Sequence, residues 1–366
     1  MPFKGSTTVS RPLRRSLSAV TALALVTTAC AGRGGGGGDA EKAADGSISI
    51  RIVSTSPTFT DLTGAVILAR DLYKKAGLNA TVDYGADNAS LITQAVMAGD
   101  ADIGSSGTGA LYNAYAQGRT NLVSLGTVNP AITFGLALNQ QTIDQLEQRG
   151  VTPRSSARDR VQALRGLTIT LGPDGSTGNA YVRIMLSEYG LDPSKDVTLI
   201  PNNDGSAQIA STRQGRANGF AQSFPRSNIP DAEGWGGLWL NWAVDLPKLT
   251  PMASHDLYTT RAWLKQNPQA AQRVMRAVWL AHKELQNPTD DLREAVRKLP
   301  AFADLNPDAF DAGWALAIDA FKGATPLTTQ QMFDNEAFLV NYSRDQPIDF
   351  GFRDLYDLKP AEAAKP

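Results

Sequence analysis

Residues 167–200 read LTITLGPDGSTGNAYVRIMLSEYGLDPSKDVTLI, and their order of apolar, glycine-containing and amphipathic segments decides the fold. The apolar residues of 167–171 predict a strand, and a loop of glycine and hydroxyl residues follows at 172–178. Apolar side chains recur on one face of Ala180–Tyr189, which predicts a helix, and Val197–Ile200 predicts the next strand. Strand, helix and strand in this order are typical of an α/β fold with a mostly parallel sheet.

The same order of segments occurs earlier in the chain. Ile48–Val53 alternates apolar and polar residues as a strand does, the polar loop Ser54–Thr60 follows, and a helical pattern comes next. GDAD at 99–102 corresponds in position to GRAN at 215–218. Two copies are too few for a solenoid, so the duplication predicts two α/β lobes, followed by a helical region from about residue 250.

Composition excludes several classes of protein. The 366 residues include 35 Lys and Arg and 36 Asp and Glu without a basic stripe, so we expect no nucleic-acid binding. A single cysteine, Cys30, excludes a disulfide within the chain, and the two histidines, His255 and His282, lack the spacing of a metal site. We therefore expect no metal, no cofactor and a structural role for both histidines. The chain is expected to be a monomer.

The first 38 residues carry basic but no acidic side chains. Four Lys and Arg residues precede an apolar stretch, Leu17–Val26, that is too short to span a bilayer. A basic segment followed by a short apolar segment is typical of an export signal, which we assign to residues 1–29. Because two arginines are adjacent at Arg14 and Arg15, the general secretory route and the twin-arginine route both stay open.

Small residues precede Cys30, and a run of glycines follows it at 34–38. This pattern is similar to a bacterial lipobox, although Thr27 stands where that pattern prefers leucine. It implies lipidation of Cys30, with residues 30–46 as lipidated cysteine and flexible tether. The alternative is that Cys30 is an incidental residue of a cleaved signal. The lipobox interpretation predicts an extracytoplasmic protein that is anchored to the cell membrane by lipid.

Three strand-to-helix loops, 54–60, 104–109 and 172–179, combine glycines with hydroxyl side chains. Helix N-termini offer backbone N–H groups to anions, and open α/β sheets bind ligands at the carboxyl ends of their strands. Facing lobes would join the three loops into one anion site. Alternatively, Arg226 holds the charge, or each loop is only a helix cap. The predicted contact residues are Ser56, Thr58, Phe59, Ser106, Gly107, Thr108, Ser176, Thr177, Gly178, Asn179, Ser223 and Arg226.

Two stretches of the chain resemble a known family. Residues 82–118, VDYGADNASLITQAVMAGDADIGSSGTGALYNAYAQG, and residues 164–225 are similar to ABC-transporter solute-binding proteins of the nitrate, sulfonate and taurine group. The second stretch carries the family's Gly-Ser-Thr-Gly loop at 175–178 and its Gly-Leu-Asp-Pro at 190–193. It departs from the family's Gly-x-x-Asp-Ala, because GRANG stands at 215–219.

The resemblance implies a periplasmic-binding-protein-like fold with a hinge and with C-terminal helices packed on lobe one. We assign lobe one to residues 47–132 plus 243–345, lobe two to 133–242, and a loosely packed tail to 346–366. The implied function is capture of a small organic anion, such as a sulfonate or carboxylate, and its delivery to an ABC permease. The resemblance does not identify the solute.

Other functions are possible on the same fold. It also hosts enzymes similar to thiamine-precursor synthases and desulfinases, and a sensory or scaffold lipoprotein is a third alternative. Both kinds of enzyme use cysteine or histidine, and the sequence has neither between residues 47 and 254. We therefore expect a binding protein rather than an enzyme.

Overall fold

The computed structural model describes residues 40–55, 58–84, 89–174, 176–342 and 344–366. The assigned signal peptide, Cys30 and Ser56 lie outside the described residues. Part of the expected tether is described, and it is attached to the fold. The Ala40 N–H donates to Asn267 Oδ1 at 2.6 Å, and residue 42 forms an isolated antiparallel bridge with residue 48. Main-chain hydrogen bonds therefore hold residues 40–46 against the folded structure, where the sequence predicts flexibility.

Two five-stranded sheets form the framework of the described residues. The strands are β1 (Ile48–Ser54), β2 (Leu78–Asp83), β3 (Ile103–Gly107), β4 (Leu122–Asn129), β5 (Phe134–Asn139), β6 (Thr168–Leu171), β7 (Thr198–Pro201), β8 (Gly219–Ser223), β9 (Gly236–Asn241) and β10 (His255–Thr260). Sheet one has the order β2-β1-β3-β10-β4, and sheet two has the order β7-β6-β8-β5-β9.

In each sheet, one strand runs against the other four. Strand β10 is antiparallel to both β3 and β4, and β5 is antiparallel to both β8 and β9. Strands β1, β2 and β3 pair in parallel, and so do β6, β7 and β8. The three parallel strands have the same relative order in both sheets, as the sequence duplication predicts. The prediction of α/β lobes with mostly parallel sheets is confirmed.

The chain passes between the two sheets twice. It leaves sheet one after β4 and enters sheet two at β5 through residues 130–133. It returns from β9 to β10 through residues 242–254. We call the part built on sheet one, with the C-terminal helices, lobe one, and the part built on sheet two lobe two. Two short connections between the lobes form a hinge.

Helices cover both sheets. The α-helices of the described residues are α1 (Leu62–Ala69), α2 (Leu72–Lys75), α3 (Ala89–Ala98), α4 (Thr108–Ala116), α5 (Gln140–Glu147), α6 (Ala157–Gln162), α7 (Thr177–Glu188), α8 (Gly205–Arg213), α9 (Ile229–Ala232), α10 (Trp242–Asp245), α11 (Arg261–Gln266), α12 (Pro268–Gln286), α13 (Asp290–Arg297), α14 (Pro307–Asp319), α15 (Gln330–Tyr342), α16 (Phe352–Leu355) and α17 (Lys359–Ala363). Short 3-10 helices lie at Phe59–Asp61, Arg226–Asn228 and Pro247–Leu249.

The long helix α12 covers lobe one. Pro268 stands at its first turn, where a missing N–H costs no hydrogen bond. Its apolar side chains Val274, Met275 and Val278 are fully buried in the core that also contains the apolar residues of β1. Burial of a side chain of this size contributes about 1.5–3 kcal/mol. The C-terminal helices therefore pack on lobe one, as the family resemblance implies.

The C-terminal residues 346–366 pack more tightly than the sequence predicts. Leu355 is 0% exposed, and Tyr356 forms an isolated parallel bridge with Ser124 of β4. Pro360 stands in the first turn of α17, so it begins a helix rather than interrupting one. The prediction of a loosely packed tail is wrong, because its apolar and aromatic side chains complete the lobe-one core.

Candidate functional site

The two lobes meet at the edges where their parallel strands end. The Phe59 N–H donates across this boundary to the Phe224 carbonyl oxygen at 3.3 Å. Within lobe one, the Thr55 N–H donates to the Ser105 carbonyl oxygen at 3.3 Å and joins the loops after β1 and β3. Open α/β sheets bind ligands at the carboxyl ends of their strands. The boundary between the lobes is therefore the candidate site, and we call it the cleft.

Lobe one contributes the N-terminus of α4 to the cleft. Gly107 precedes this helix, and no side chain caps it. The Thr108 N–H donates to the Ser254 carbonyl oxygen at 3.3 Å, which ties the start of the helix to the second crossover. Because no side chain caps α4, its first turn keeps backbone N–H groups without a side-chain acceptor.

Lobe two contributes the N-terminus of α7. Ser176 Oγ accepts from the Asn179 N–H at 3.3 Å, and Asn179 Nδ2 donates to the Gly172 carbonyl oxygen at 3.0 Å. The Asn179 side chain is buried. The sequence predicts that Ser176 and Asn179 contact a solute. In the structure, both side chains instead hold the start of their own helix in place.

Thr177 is the residue of lobe two that reaches lobe one. Its Oγ1 lies 4.0 Å from the position that a Cβ atom on Gly107 would occupy, and 3.6 Å from the same position on Gly109. Both distances are ordinary contact distances for a Cβ atom, so the starts of the two helices lie close together at Thr177. The N-termini of α4 and α7 therefore face each other, with the Thr177 hydroxyl between them.

An aromatic side chain covers Gly178, the next residue of α7. A Cβ atom at Gly178 would lie 2.5 Å from Cζ of Phe134, the first residue of β5. The Phe134 ring also contacts Tyr181 and Trp242, with centroid distances of 5.8 Å and 5.9 Å. Gly178 therefore allows Phe134 to close over the start of α7. This places an apolar wall beside the helix N-terminus.

Two predicted contacts at the start of α4 have buried side chains. Ser106 Oγ lies 3.1 Å from the hydroxyl of Tyr258. The Thr108 side chain is 0% exposed, and it faces the carboxyl group of Asp256. Both side chains are therefore enclosed within lobe one, and α4 presents its backbone at Gly107 to the cleft.

The loop after β1 also differs from its predicted role. Thr58 Oγ1 accepts from the Thr60 N–H at 3.2 Å, so it caps the 3-10 helix that follows. Phe59 is 0% exposed, because its ring packs against Phe302 and Phe310 in the lobe-one core. The ring therefore has no face directed at the cleft, in contrast to its predicted contact with a solute.

Arg226 lies at a different place from the two helix N-termini. It follows β8, which ends at Ser223, and its side chain is exposed. Its Nη1 lies 2.8 Å from the position that a Cβ atom on Gly205 would occupy, at the start of α8. The two predicted ways of holding an anion therefore correspond to different positions, the facing starts of α4 and α7 or the start of α8.

A buried polar cluster that the sequence did not reveal lies where β10 begins. His255 Nε2 is 3.0 Å from Ser105 Oγ and 3.9 Å from Asp61 Oδ2. Asp61 Oδ1 also accepts from the Gly64 N–H at 2.9 Å and caps α1. Burial lowers the pKa of His255 and raises the pKa of Asp61. The cluster forms only because β10 pairs with β3, which brings residues distant in sequence together.

Two buried carboxyl groups lie behind α4. Asp256 accepts from Ser124 Oγ and Thr127 Oγ1, both at 2.8 Å, and burial nevertheless raises its pKa to about 6. Glu336 of α15 is 0% exposed, and neither of its carboxyl oxygens has a hydrogen-bond partner among the described residues. Burial, followed by the nearby charge of Asp256, raises the pKa of Glu336 well above its ordinary value.

His282 lies in the lobe-one core, and its Nε2 is 3.0 Å from the Val128 carbonyl oxygen. Burial lowers its pKa from 6.5 to about 4. Between pH 6.5 and about pH 4, the His282 side chain is protonated in the unfolded chain but not in the folded protein. The free energy of unfolding therefore falls as the pH drops through this range. The total loss from this residue is about 3 kcal/mol. We expect His282→Gln to remove that loss, measured by urea unfolding at pH 7 and pH 4.

His255 serves as an internal reference in this comparison. Its pKa is also lowered by burial, and it is present in both proteins, so its contribution cancels in the difference. An equal loss of stability in the wild type and in His282→Gln would contradict the assignment.

The helices of the described residues include none with the length and apolar composition needed to cross a membrane. In the same part of the chain, His, Cys, Asp and Glu side chains form no group of three or more that could hold a metal ion.

A comparison with protein families assigns the chain to a class. It belongs to the NMT1-like family, whose pattern matches residues 58–299. In sequence, it is 22% identical over 209 residues to YtlA of Bacillus subtilis (strain 168), whose name describes a binding protein. That match covers 54% of this chain and 59% of YtlA, so the chain aligns with little more than half of that relative.

Solved structures with the same fold include named anion-binding proteins. The alkanesulfonate-binding protein SsuA from Xanthomonas axonopodis pv. citri is 15% identical, with a TM-score of 0.59 over 84% of this chain and 98% of SsuA. The periplasmic nitrate-binding protein NrtA from Synechocystis PCC 6803 is 13% identical, with a TM-score of 0.61 over 86% of this chain and 88% of NrtA. The predicted resemblance to the nitrate and sulfonate group is therefore confirmed, and so is the fold.

Proposed function

We propose that this protein is the solute-binding component of an ABC importer and that it captures a small organic anion in the cleft. The observation that carries the proposal is that the N-termini of α4 and α7 face each other, with the Thr177 hydroxyl between them. A helix N-terminus binds anions through its backbone N–H groups and carries about half of a positive charge. Two of them can together balance about one negative charge without a Lys or Arg side chain.

The relatives support the same role. NrtA binds nitrate and SsuA binds alkanesulfonates by name, and both solutes present several oxygen acceptors to N–H and hydroxyl donors. The Phe134 ring beside the start of α7 suits the apolar part of an organic acid better than a small inorganic ion. We therefore favour sulfonates and carboxylates as the solute class.

Movement about the hinge would connect solute binding to delivery. We propose that lobe one, residues 47–132 plus 243–366, and lobe two, residues 133–242, close on the solute about the two crossovers. Closure excludes water, which strengthens each polar contact to the solute. A permease that docks only the closed form would then receive loaded protein.

The N-terminal signals complete the proposal. We propose that residues 1–29 are removed on export and that lipid on Cys30 anchors a monomeric protein outside the cytoplasmic membrane.

A thermal-shift screen tests whether the protein binds a solute. The panel contains nitrate, ethanesulfonate, taurine and short carboxylates. A true solute at a hundred times its dissociation constant adds about 2.7 kcal/mol to the stability of the folded state. If no compound in the panel raises the melting temperature, the proposed function loses its support.

Thr177→Ala tests the place of binding. A hydrogen bond to a charged group contributes about 1.5–3 kcal/mol, so we expect a ten- to hundredfold weaker affinity by calorimetry. Thr198→Ala, at an exposed position in the same lobe, is the matched control and should bind as the wild type does. Equal affinities in the two variants would exclude a site between α4 and α7. Arg226→Ala then tests the start of α8.

A further inference from the structure

Glu336 is a buried acid that the fold does not explain. Its side chain is 0% exposed, and both carboxyl oxygens are without a hydrogen-bond donor among the described residues. A buried polar group without a partner costs about 1–3 kcal/mol, and more when it is charged. Buried carboxyl groups in folded proteins are therefore paired or hydrogen-bonded, and an exception points to a missing partner.

The carboxyl group lies at the two helix N-termini. Helix α15 packs against both α4 and α7. Glu336 Oε1 is 3.3 Å from the position of a Cβ atom on Gly109, and Thr177 Oγ1 is 3.6 Å from the same position. The carboxyl group and the proposed anion contact are therefore close neighbours. The Glu336 carboxyl lies at the first turn of α4, on the side where α7 begins.

Within the described ranges, the ionisable groups that act on Glu336 are acids and phenols, and none of them carries a positive charge. Asp256, from β10, is acidic, and Tyr112 of α4 and Tyr181 of α7 are phenols whose pKa values are raised by burial. A plain anion would lie next to two buried acids and would leave the Glu336 carboxyl without a hydrogen-bond partner. A solute that also carries an ammonium or another N–H donor would supply the partner that Glu336 lacks.

We propose that Glu336 recognises an ammonium or N–H donor group of the solute, so that the site selects a zwitterionic acid over a plain anion. The inference rests on the proposed function. The facing helix N-termini hold the acidic group of the solute, and Glu336 pairs with its amine a short distance away. Glu336 is then a specificity-determining residue on α15, one of the C-terminal helices. The other parts of the site come from strand-to-helix loops.

Matched pairs of compounds that differ only in the amine test this inference. Suitable pairs are taurine with ethanesulfonate, 3-aminopropanesulfonate with propanesulfonate, and β-alanine with propionate. We expect calorimetry on the wild type to show at least one pair in which the amine binds about ten- to a hundredfold more tightly. In Glu336→Gln, which keeps the size of the side chain and removes its charge, we expect that preference to disappear.

Two controls separate recognition from folding. Glu147→Gln changes an exposed glutamate of α5 and should keep the preference of the wild type. Glu336→Met tests an apolar side chain of similar length, and melting curves of both Glu336 variants show whether they remain folded. We expect both variants to be at least as stable as the wild type, because each removes a buried acid without a partner.

The outcomes distinguish this inference from the proposed function. If both members of each bound pair have equal affinity for the wild type, or if Glu336→Gln keeps the preference for the amine, the inference is wrong while the proposed function stands. If no compound of any pair binds either protein, the proposed function fails, and the inference falls with it.

Discussion

Asp245→Ala is expected to lower the free energy of unfolding by about 3–5 kcal/mol. Asp245 is 3% exposed and forms an ion pair with Arg160 of α6. Its Oδ2 also accepts from the Asn241 N–H at 2.9 Å, and the Arg160 Nη1 donates to the Trp239 carbonyl oxygen at 2.6 Å. Without Asp245, the Arg160 guanidinium would be left largely buried without its counter-charge.

The ion pair between Asp245 and Arg160 also lies at the hinge. Asp245 ends α10, within the second crossover, so the pair fixes the point at which the chain leaves lobe two. Urea unfolding of the variant and the wild type measures the effect. Asp319→Ala, in an exposed pair with Lys322, is the matched control and should change stability by less than about 1 kcal/mol. A loss of similar size in both variants would contradict the argument.

The sequence predicts those parts of the architecture whose residues are neighbours in the chain. Each parallel unit is continuous in the chain, so its strand and helix patterns appear in order. The start of α7 shows the limit of such reasoning. The sequence predicts a helix from Ala180, and the helix begins at Thr177, because Ser176 Oγ accepts from the Asn179 N–H. A glycine in the first turn, Gly178, obscures the pattern in sequence.

The antiparallel strands were not predicted. Strand β5 pairs with β8, residue 134 opposite residue 223, and β10 pairs with β3, residue 255 opposite residue 107. Partners so distant in the chain leave no local pattern. The same pairings create the hinge and bring His255 beside Asp61. The sequence predicts the two passages between the lobes at 132/133 and 242/243, close to where the chain crosses, but it does not predict the antiparallel strands that follow them.

The candidate site was predicted in outline and not in its side chains. The loops before α4 and α7 do come together, as carboxyl-end loops of facing sheets should. Which hydroxyl groups face the cleft depends on capping and burial, which residue types alone do not decide. One feature of the sequence could have identified Glu336 as unusual. It stands on the buried face of α15, four residues from both Met332 and Val340, where an apolar residue is expected.

The sequence predicts that Phe59 contacts a solute, whereas the structure places its ring in the core. Phe59→Ala distinguishes these two roles. The Phe59 ring lies 5.5 Å from Phe302, 5.2 Å from Phe310 and 6.2 Å from Trp314 between ring centroids, and it is 0% exposed. Truncation of such a side chain leaves a cavity and costs about 3–5 kcal/mol. We expect a loss of that size in urea unfolding.

The aromatic cluster also determines how Phe59→Ala should affect binding. Phe302, Phe310 and Trp314 enclose the ring, while the Phe59 backbone N–H remains bonded to lobe two. Affinity for a solute, measured by calorimetry below the melting temperature of the variant, should therefore change less than threefold. Phe338→Ala, at a position 47% exposed, is the matched control and should cost less than about 1 kcal/mol. A stable Phe59→Ala protein with greatly weakened binding would restore the predicted contact and contradict the core assignment.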